Sequence, residues 1–352
     1  MKNKNNLLPI ISICIPVYNG EKLIHHTLKS IENSIKEIDS NYIEILISDN
    51  NSNDKTVNII NSYKKNGMNL NLILNNENLG YDNNLDVLAK NSKGTFIWFL
   101  GVGEIILKNS IKKLIFKIEQ NIESQNFVLD FKIFSEKKNK ITHNSVLNLN
   151  EDLVLIGKNN FQKNKYNLSV SGNVINREAW MKYIDKPLFS YGWNHIEKIL
   201  WIISNDVESK TVLLKNQYFI LFQDINGWWT DENSYKPLLE HLNLIDKMKE
   251  MEFSSKAIKT VKEKQLGFAI LNSIIQSRKN GKKFTSNEIS EFKKHSSLIF
   301  YYIIILPFNF LPIKFCDKIL NVFLICKKIL KAIIIKFILK QNLSKKLYYK
   351  SN

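Results

Sequence analysis

Ile11-Ser12-Ile13-Cys14-Ile15-Pro16-Val17-Tyr18-Asn19 is a short, mostly β-branched apolar run that ends in a polar turn. Such a run, apolar at successive positions, predicts a central strand of a parallel sheet that stops at Pro16. Outward from it the pattern alternates. Lys22 to Ile35 places Leu23, Ile24, Thr27, Leu28, Ile31 and Ile35 at helical spacing. A second strand is predicted over 43–47, ending at Asp49, after which Ser52 or Asn53 can cap a helix that carries Val57, Ile60 and Tyr63 and stops at Gly67. A third strand is predicted over 70–74, a helix from about Tyr81, and a fourth strand over 95–100. Strands alternating with helices imply right-handed crossovers, hence an α/β fold with a mostly parallel central sheet. Ligands bind at the carboxyl edge of such sheets.

The turns after these strands carry the chemistry. Asp49 stands just past its strand, where a carboxylate can accept hydrogen bonds from a nucleobase N–H or a ribose hydroxyl, or can simply close an Asx-turn. Asp54 falls in the first turn of a helix, where acids are favoured in any case. The turn after the first strand reads Pro16-Val17-Tyr18-Asn19-Gly20-Glu21 and contains no G-x-G-x-x-G, and no G-x-x-x-x-G-K-[ST] occurs. The dinucleotide fingerprint and the P-loop are therefore both excluded.

Four segments taken in order resemble glycosyltransferase family 2 with the GT-A fold. They are Pro16-Val17-Tyr18-Asn19, Ser48-Asp49-Asn50-Asn51-Ser52-Asn53-Asp54, Asn76-Glu77-Asn78-Leu79-Gly80 and Gly94-Thr95-Phe96-Ile97-Trp98-Phe99-Leu100. Leu79-Gly80-Tyr81-Asp82-Asn83-Asn84 and Trp98-Phe99-Leu100-Gly101 are similar to the abequosyltransferase-like branch, which builds surface polysaccharides. The resemblance covers about residues 10–225 and is strongest over the first hundred. It implies an inverting transfer of one sugar from a nucleotide-sugar donor to a lipid-linked or polysaccharide acceptor. By resemblance, Pro16, Tyr18 and Asn19 line the nucleotide pocket. Asp49 holds the base with Asn51 and Asp54 nearby, Gly80, Asp82 and Asn84 border the diphosphate and ribose, and Gly101 belongs to the same donor side.

The resemblance breaks at the end of the fourth strand. Where the family places Asp-X-Asp, this chain has Gly101-Val102-Gly103-Glu104, which leaves Glu104 as the one acid for Mg²⁺ or Mn²⁺ on the donor diphosphate. Three outcomes stay open: a single-carboxylate metal site, phosphates neutralised by glycine amides and lysines, or lost activity in a silent GT-A scaffold serving the same assembly.

On the acceptor side, Ser171 to Trp180 reads as a strand entering a helix, and Tyr191-Gly192-Trp193-Asn194-His195 as a loop entering another. The resemblance puts the catalytic base at that second helix start, which makes His195 the first candidate and Glu197 the second. A histidine titrating near neutrality suits the removal of a proton from an acceptor hydroxyl. Trp193, Trp228 and Trp229 are aromatics that can stack on sugars or pack.

Composition leads to the expectation of a membrane surface. Cys14, Cys316 and Cys326 form no paired framework, and the start of the chain runs directly into the first strand without a secretory pattern, so a reducing cytoplasm is expected. The formal net charge is +17, nearly all from lysine, because Arg177 and Arg278 are the only arginines. Residues 291–352 hold twelve lysines against Glu291 and Asp317, among long apolar runs. No run is long enough to span a bilayer, so the expectation is a basic amphipathic tail lying in the interface of an anionic membrane, with docking on its own domain or on a partner chain as the alternative. Nucleic-acid binding is not expected, because no recognisable motif accompanies the charge. The expected organisation is a GT-A domain over 1–230, a helical connector over 231–295 and the tail over 296–352. The whole is expected to be a peripheral protein on the cytoplasmic face of the inner membrane.

Overall fold

The computed structural model describes residues 8–158, 169–222, 235–259, 261, 273–275, 277–279, 281–294, 301–315 and 318. These residues fall into two compact units, one within 1–226 and 240–264, the other within 227–239 and 265–352.

The first unit is built on a sheet of ten strands among the described residues. β1 (Ile11–Val17), β2 (Ile43–Asp49), β3 (Asn71–Leu74) and β4 (Phe96–Phe99) are parallel in the order β3-β2-β1-β4, with α1 (Ile24–Ile35), α2 (Thr56–Lys65) and α3 (Tyr81–Asn91) in the connections. This is the predicted alternation. The sheet then continues through β9 (Asn173–Asn176), β6 (Asn126–Ser135), β10 (Lys210–Phe222) and β5 (Ile105–Ile106). β9 runs antiparallel to both β4 and β6, so the sheet is mixed beyond its first four strands. β7 (Lys140–His143) and β8 (Leu153–Ile156) pair with β6 and β10, and α4 (Ser110–Glu119) follows β5. Two further helices belong to the site: α5 (Arg177–Met181) and α6 (Asn194–Asn205). α7 (Lys236–Lys247) follows β10 in the chain.

β1 runs through Pro16 to Val17 rather than ending at the proline. Val17 O accepts from Asn50 N–H on the β2 side, while Cys14 O accepts from Leu100 N–H on the β4 side. Alternation along the strand therefore turns Pro16 toward β4, whose pairing has already ended at Phe99. The missing N–H costs no ladder bond there. β1 is buried at every position, and one core gathers Ile13, Ile15, Leu28, Ile47, Trp98 and Phe219. Phe131 and Phe219 stack at 4.7 Å, and Trp98 meets Phe219 edge-on.

In the second unit, α8 (Ser286–Lys294) opens with a capping box. Thr285 N–H donates to the Glu288 carboxylate at 2.9 Å, and Glu288 N–H donates back to the Thr285 hydroxyl at 3.2 Å. Lys282 and the Tyr235 hydroxyl also donate to Glu288, and these bonds, led by that from Lys282, hold its pKa down at about 2. α9 (Leu306–Phe310) follows. Among the described residues no helix is long and apolar enough to cross a membrane.

Candidate active site

The loops leaving β1 and β2 are locked together at the carboxyl rim. Asn19 N–H donates to the Ser52 hydroxyl at 2.8 Å, and the Asn19 side-chain oxygen accepts from Asn53 N–H at 3.0 Å. Asn19 and Asn51 both adopt left-handed backbone, with φ of 49° and 66°, which asparagine tolerates better than other side chains do. Asp54 accepts from Glu21 N–H, Thr56 N–H and the Thr56 hydroxyl, and so ties the first loop to the start of α2. Partial burial opposes its charge, but these bonds outweigh it and hold the Asp54 pKa below the ordinary value. Tyr18 and Asn19 are exposed on top of the clamp, whereas Pro16 is buried in the strand beneath it.

Asp49 ends β2 and is only 2% exposed. One carboxylate oxygen, Oδ2, accepts from Ser52 N–H at 2.9 Å, three residues on and so one beyond the reach of the expected Asx-turn. The other, Oδ1, is buried and accepts no hydrogen bond among the described residues. A buried acceptor without a donor is costly, and a ligand N–H or O–H would relieve it. Next to it, Asn50 organises the loop after β3. Its side-chain oxygen accepts from Leu79 N–H and the Asn75 amide, and its own amide donates to Asn78 and to Gly80 O. Asn50 stands inside one of the family-like segments but carried no assigned role there. Asn84 is 2% exposed, and its side chain is engaged by Ser48 and Asn75, joining α3 to β2. Gly80 has φ of 80°, and its face lies against the Tyr191 ring, whose hydroxyl would stand 3.8 Å from an added Cβ.

At the end of β4 the chain compensates for its missing acids in an unexpected way. The Glu104 side chain folds back over Gly101, so that a Cβ at 101 would stand 3.2 Å from the Glu104 carboxyl carbon. Gly101 N–H donates to that carboxyl at 3.3 Å and to the Ser171 hydroxyl at 2.9 Å, and Ser171 bonds the carboxyl as well. Glu104 is half-buried as a residue, but its carboxyl is enclosed, and burial pushes its pKa up to about 8 despite those two bonds. A carboxyl held neutral at pH 7 and already engaged by protein groups is a poor ligand for a hard cation. No group of three acidic, histidine or cysteine side chains gathers among the described residues. The residues at this turn do not fit a dedicated Mg²⁺ or Mn²⁺ site.

The loop before α6, residues 188–193, is held by two buried carboxylates. Asp82, at the start of α3, accepts from Gly192 N–H at 2.6 Å and Asn194 N–H at 3.1 Å, so it caps α6 from a distance of over a hundred residues in sequence. Glu197, 1% exposed, accepts from Phe189 N–H with both oxygens, at 3.1 and 2.9 Å, and from the Ser190 hydroxyl. Burial raises the pKa of each acid, and the loop N–H groups oppose that rise. Lys198 is also buried. Its ammonium donates to Tyr183 O at 2.8 Å, faces Asp86 at 3.8 Å and lies over the Trp180 ring, and burial lowers its pKa.

His195 is 3% exposed, its ring beside that of Trp193, which in turn packs on His241 at 4.6 Å. A cleft of about 280 Å³ opens between Leu79–Asn83 and the 188–191 loop, and Glu240 from α7 lines it too. The structure thus brings Gly80, Asp82 and Tyr191 to one cleft, whereas His195 and Glu197 are buried and do not line it. Glu240 carried no signal in the sequence, because it lies on a polar helix far from every motif. Trp228 and Trp229 lie outside the described residues.

Comparison with known proteins agrees with this architecture. The family model for glycosyl transferase family 2 matches residues 12–184. Abequosyltransferase RfbV of Salmonella typhimurium is 36% identical over 105 residues, which is 29% of this chain and 30% of that protein. The GalNAc(5)-diNAcBac-PP-undecaprenol beta-1,3-glucosyltransferase of Campylobacter jejuni is 27% identical over 114 residues, 32% of this chain and 36% of that protein. The aligned stretch thus spans about a third of each curated relative. Among solved structures, S. aureus TarS 1-349 in complex with UDP superposes with a TM-score of 0.53 at 16% identity, covering 78% of this chain and 81% of that one. The mannosyltransferase PcManGT of Pyrobaculum calidifontis, in complex with GDP-Man and Mn²⁺, gives 0.52 at 10% identity, covering 86% and 80%.

Proposed function

The chain belongs to glycosyl transferase family 2 through its domain over 12–184, and on that premise we propose that it is an inverting transferase. It moves a sugar from a nucleotide-sugar donor to a lipid-linked or polysaccharide acceptor, at the cytoplasmic face of a membrane. The observation that carries the reading is Asp49, whose buried Oδ1 accepts no hydrogen bond among the described residues at the carboxyl end of β2. A nucleobase N–H satisfies that oxygen, with Tyr18 and Asn19 exposed beside it and the Asn19–Ser52 clamp holding the two rim loops. The acceptor approaches from the Tyr191 side of the cleft, whose Gly80 and Asp82 side faces the donor diphosphate. His195, at the start of α6, takes the proton of the attacking hydroxyl as the nucleoside diphosphate departs. Glu240 is the second reading for this role, because it lines the cleft whereas His195 is buried and does not. No step is routed through a divalent cation. A lipid-linked acceptor is supported by the similarity to the Campylobacter jejuni glucosyltransferase, whose name carries a PP-undecaprenol-linked glycan, and the place in surface-polysaccharide synthesis is part of the proposal.

The test combines binding with turnover. A nucleoside diphosphate at a hundred times its Kd stabilises the protein that binds it by about 2.7 kcal/mol. A panel of nucleoside diphosphates should raise the melting temperature of the wild type. Asp49→Ala should weaken that binding by about ten- to a hundredfold, the equivalent of one charge-assisted hydrogen bond. His195→Ala should keep the binding and lose donor-dependent release of nucleoside diphosphate. If Glu240→Gln loses release while His195→Ala keeps it, the base is Glu240. A wild type that binds donor nucleotide but turns over no donor with membrane extract would instead be a silent scaffold, the reading that Gly101 and Gly103 favour.

A further inference from the structure

A second and larger groove, about 670 Å³, lies between α1, β5 and the start of α4, and shares no lining residue with the cleft at Gly80. Four lysines line it, Lys29, Lys36, Lys108 and Lys112, with His25 and His26 from the first turn of α1 and one acid, Glu37. All four lysines are exposed. Lys29 is paired with Glu32 at 2.6 Å, and Lys36 also acts on that carboxylate. Lys108 and Lys112 form no ion pair among the described residues. Ile38, Ile105 and Ile106 supply an apolar part of the lining.

Like charges gathered round one groove repel, and an anion among them relieves that cost. The lysine ammonium is a mobile point charge suited to phosphate rather than to a planar bidentate partner. Apolar side chains beneath lysine stems suit a headgroup with the upper acyl region under it, because lysine lays its methylenes on apolar surface and keeps its charge at the polar boundary. We propose that this groove binds the phosphate groups of anionic lipid headgroups, and so seats α1 and the 105–112 segment on a membrane surface. The inference is independent of the transferase reading, because the groove contains none of the residues assigned to donor or acceptor.

The full-length protein is the reagent, with its basic C-terminal segment present throughout. Binding is measured by co-sedimentation with vesicles of phosphatidylglycerol in phosphatidylcholine, and with phosphatidylcholine alone. The triple variant K36Q/K108Q/K112Q should bind the anionic vesicles about tenfold more weakly or worse, since each basic residue at an anionic surface adds to affinity. The control K138Q/K140Q/K249Q removes the same charge from exposed lysines elsewhere and should change binding less than about twofold. Its melting temperature and that of the groove variant should match the wild type. Equal losses in the two variants would reduce the effect to net charge and overturn the proposal, as would no loss in the groove variant. Tight binding of inorganic pyrophosphate that depends on the three groove lysines, with vesicle binding unchanged, would assign the groove to a soluble phosphate and overturn it too.

Discussion

Glu104 shows how one residue can change the chemistry of a rim. Glycine at 101 leaves room, and the Glu104 carboxyl turns back into that room, where Gly101 N–H and Ser171 hold it and burial keeps it protonated up to about pH 8. The linkage has a definite sign. Below pH 4.5 the carboxyl is neutral in both the folded and the unfolded chain. Between 4.5 and 8 the unfolded chain releases the proton that the folded chain retains, so stability falls as pH rises. Above 8 the loss is constant. Glu104→Gln removes the titration, so its melting temperature relative to wild type should rise steadily from pH 4 to pH 8. A constant difference across that range, read from thermal melts at pH 4, 6 and 8, would mean that the carboxyl ionises as it does in water. Four glycosyltransferase-like segments were legible as residues, but this turn was not. The sequence shows that two acids are absent from 101 and 103, and says nothing of where the remaining one points.

Among the elements, the loop before α6 is the one that the fold works hardest to hold. The N–H groups of 189 and 192 in the loop, and that of Asn194 at the helix start, are satisfied by Glu197 from α6 itself and by Asp82 from α3. Removing either carboxylate strands buried donors, each at a cost of about 1–3 kcal/mol. Asp82→Ala and Glu197→Ala should each destabilise by about 2–4 kcal/mol in urea unfolding, and each should speed proteolysis within 188–195. Because both act on one loop, the double variant should lose less than the sum, by at least about 0.5 kcal/mol. Strict additivity would show that the two clamps hold separate structures. The helix at 194 could be read from its apolar spacing, since Ile196, Ile199, Leu200 and Ile203 recur on one face. Its cap could not, because the capping side chain is Asp82, 112 residues from the N–H of Asn194 that it satisfies.

For the molecule as a whole, charge is the feature that most exceeds what folding needs. The net charge of +17 opposes compactness and favours anionic surfaces. Its C-terminal share, twelve lysines over 291–352, lies largely outside the described residues, so the expected interfacial helix there rests on sequence. Deleting residues 298–352 should move the protein from the membrane pellet to the soluble fraction of a cell lysate. Removal of Lys36, Lys108 and Lys112 should weaken whatever attachment is left. A truncated protein that stays wholly in the pellet would reject the tail as an anchor.

Local chemistry was enough to determine the first half of the sheet. Each apolar run of β1, β2 and β4 is buried along nearly its whole length, as strands of a parallel sheet covered by helices are, and the helical spacing between the runs supplies those helices, so the order of strand, turn and helix follows from the chain alone. The polar turns that follow must then meet at one edge, which is why Asp49, Asn19 and Asp54 were readable as neighbours. What the tertiary structure decided was the destination of each polar side chain. Asp82, Asn84, Glu197 and Asn50 carry the right groups for a ligand, yet spend them on backbone N–H groups and neighbouring side chains. Asp49 spends one oxygen so and keeps the other. A hydrogen bond between residues a hundred positions apart depends on how the helices pack against the sheet, and no local pattern encodes that geometry. Glu240 and the lysine groove are of the same kind, assembled from segments that come together only when the chain is folded.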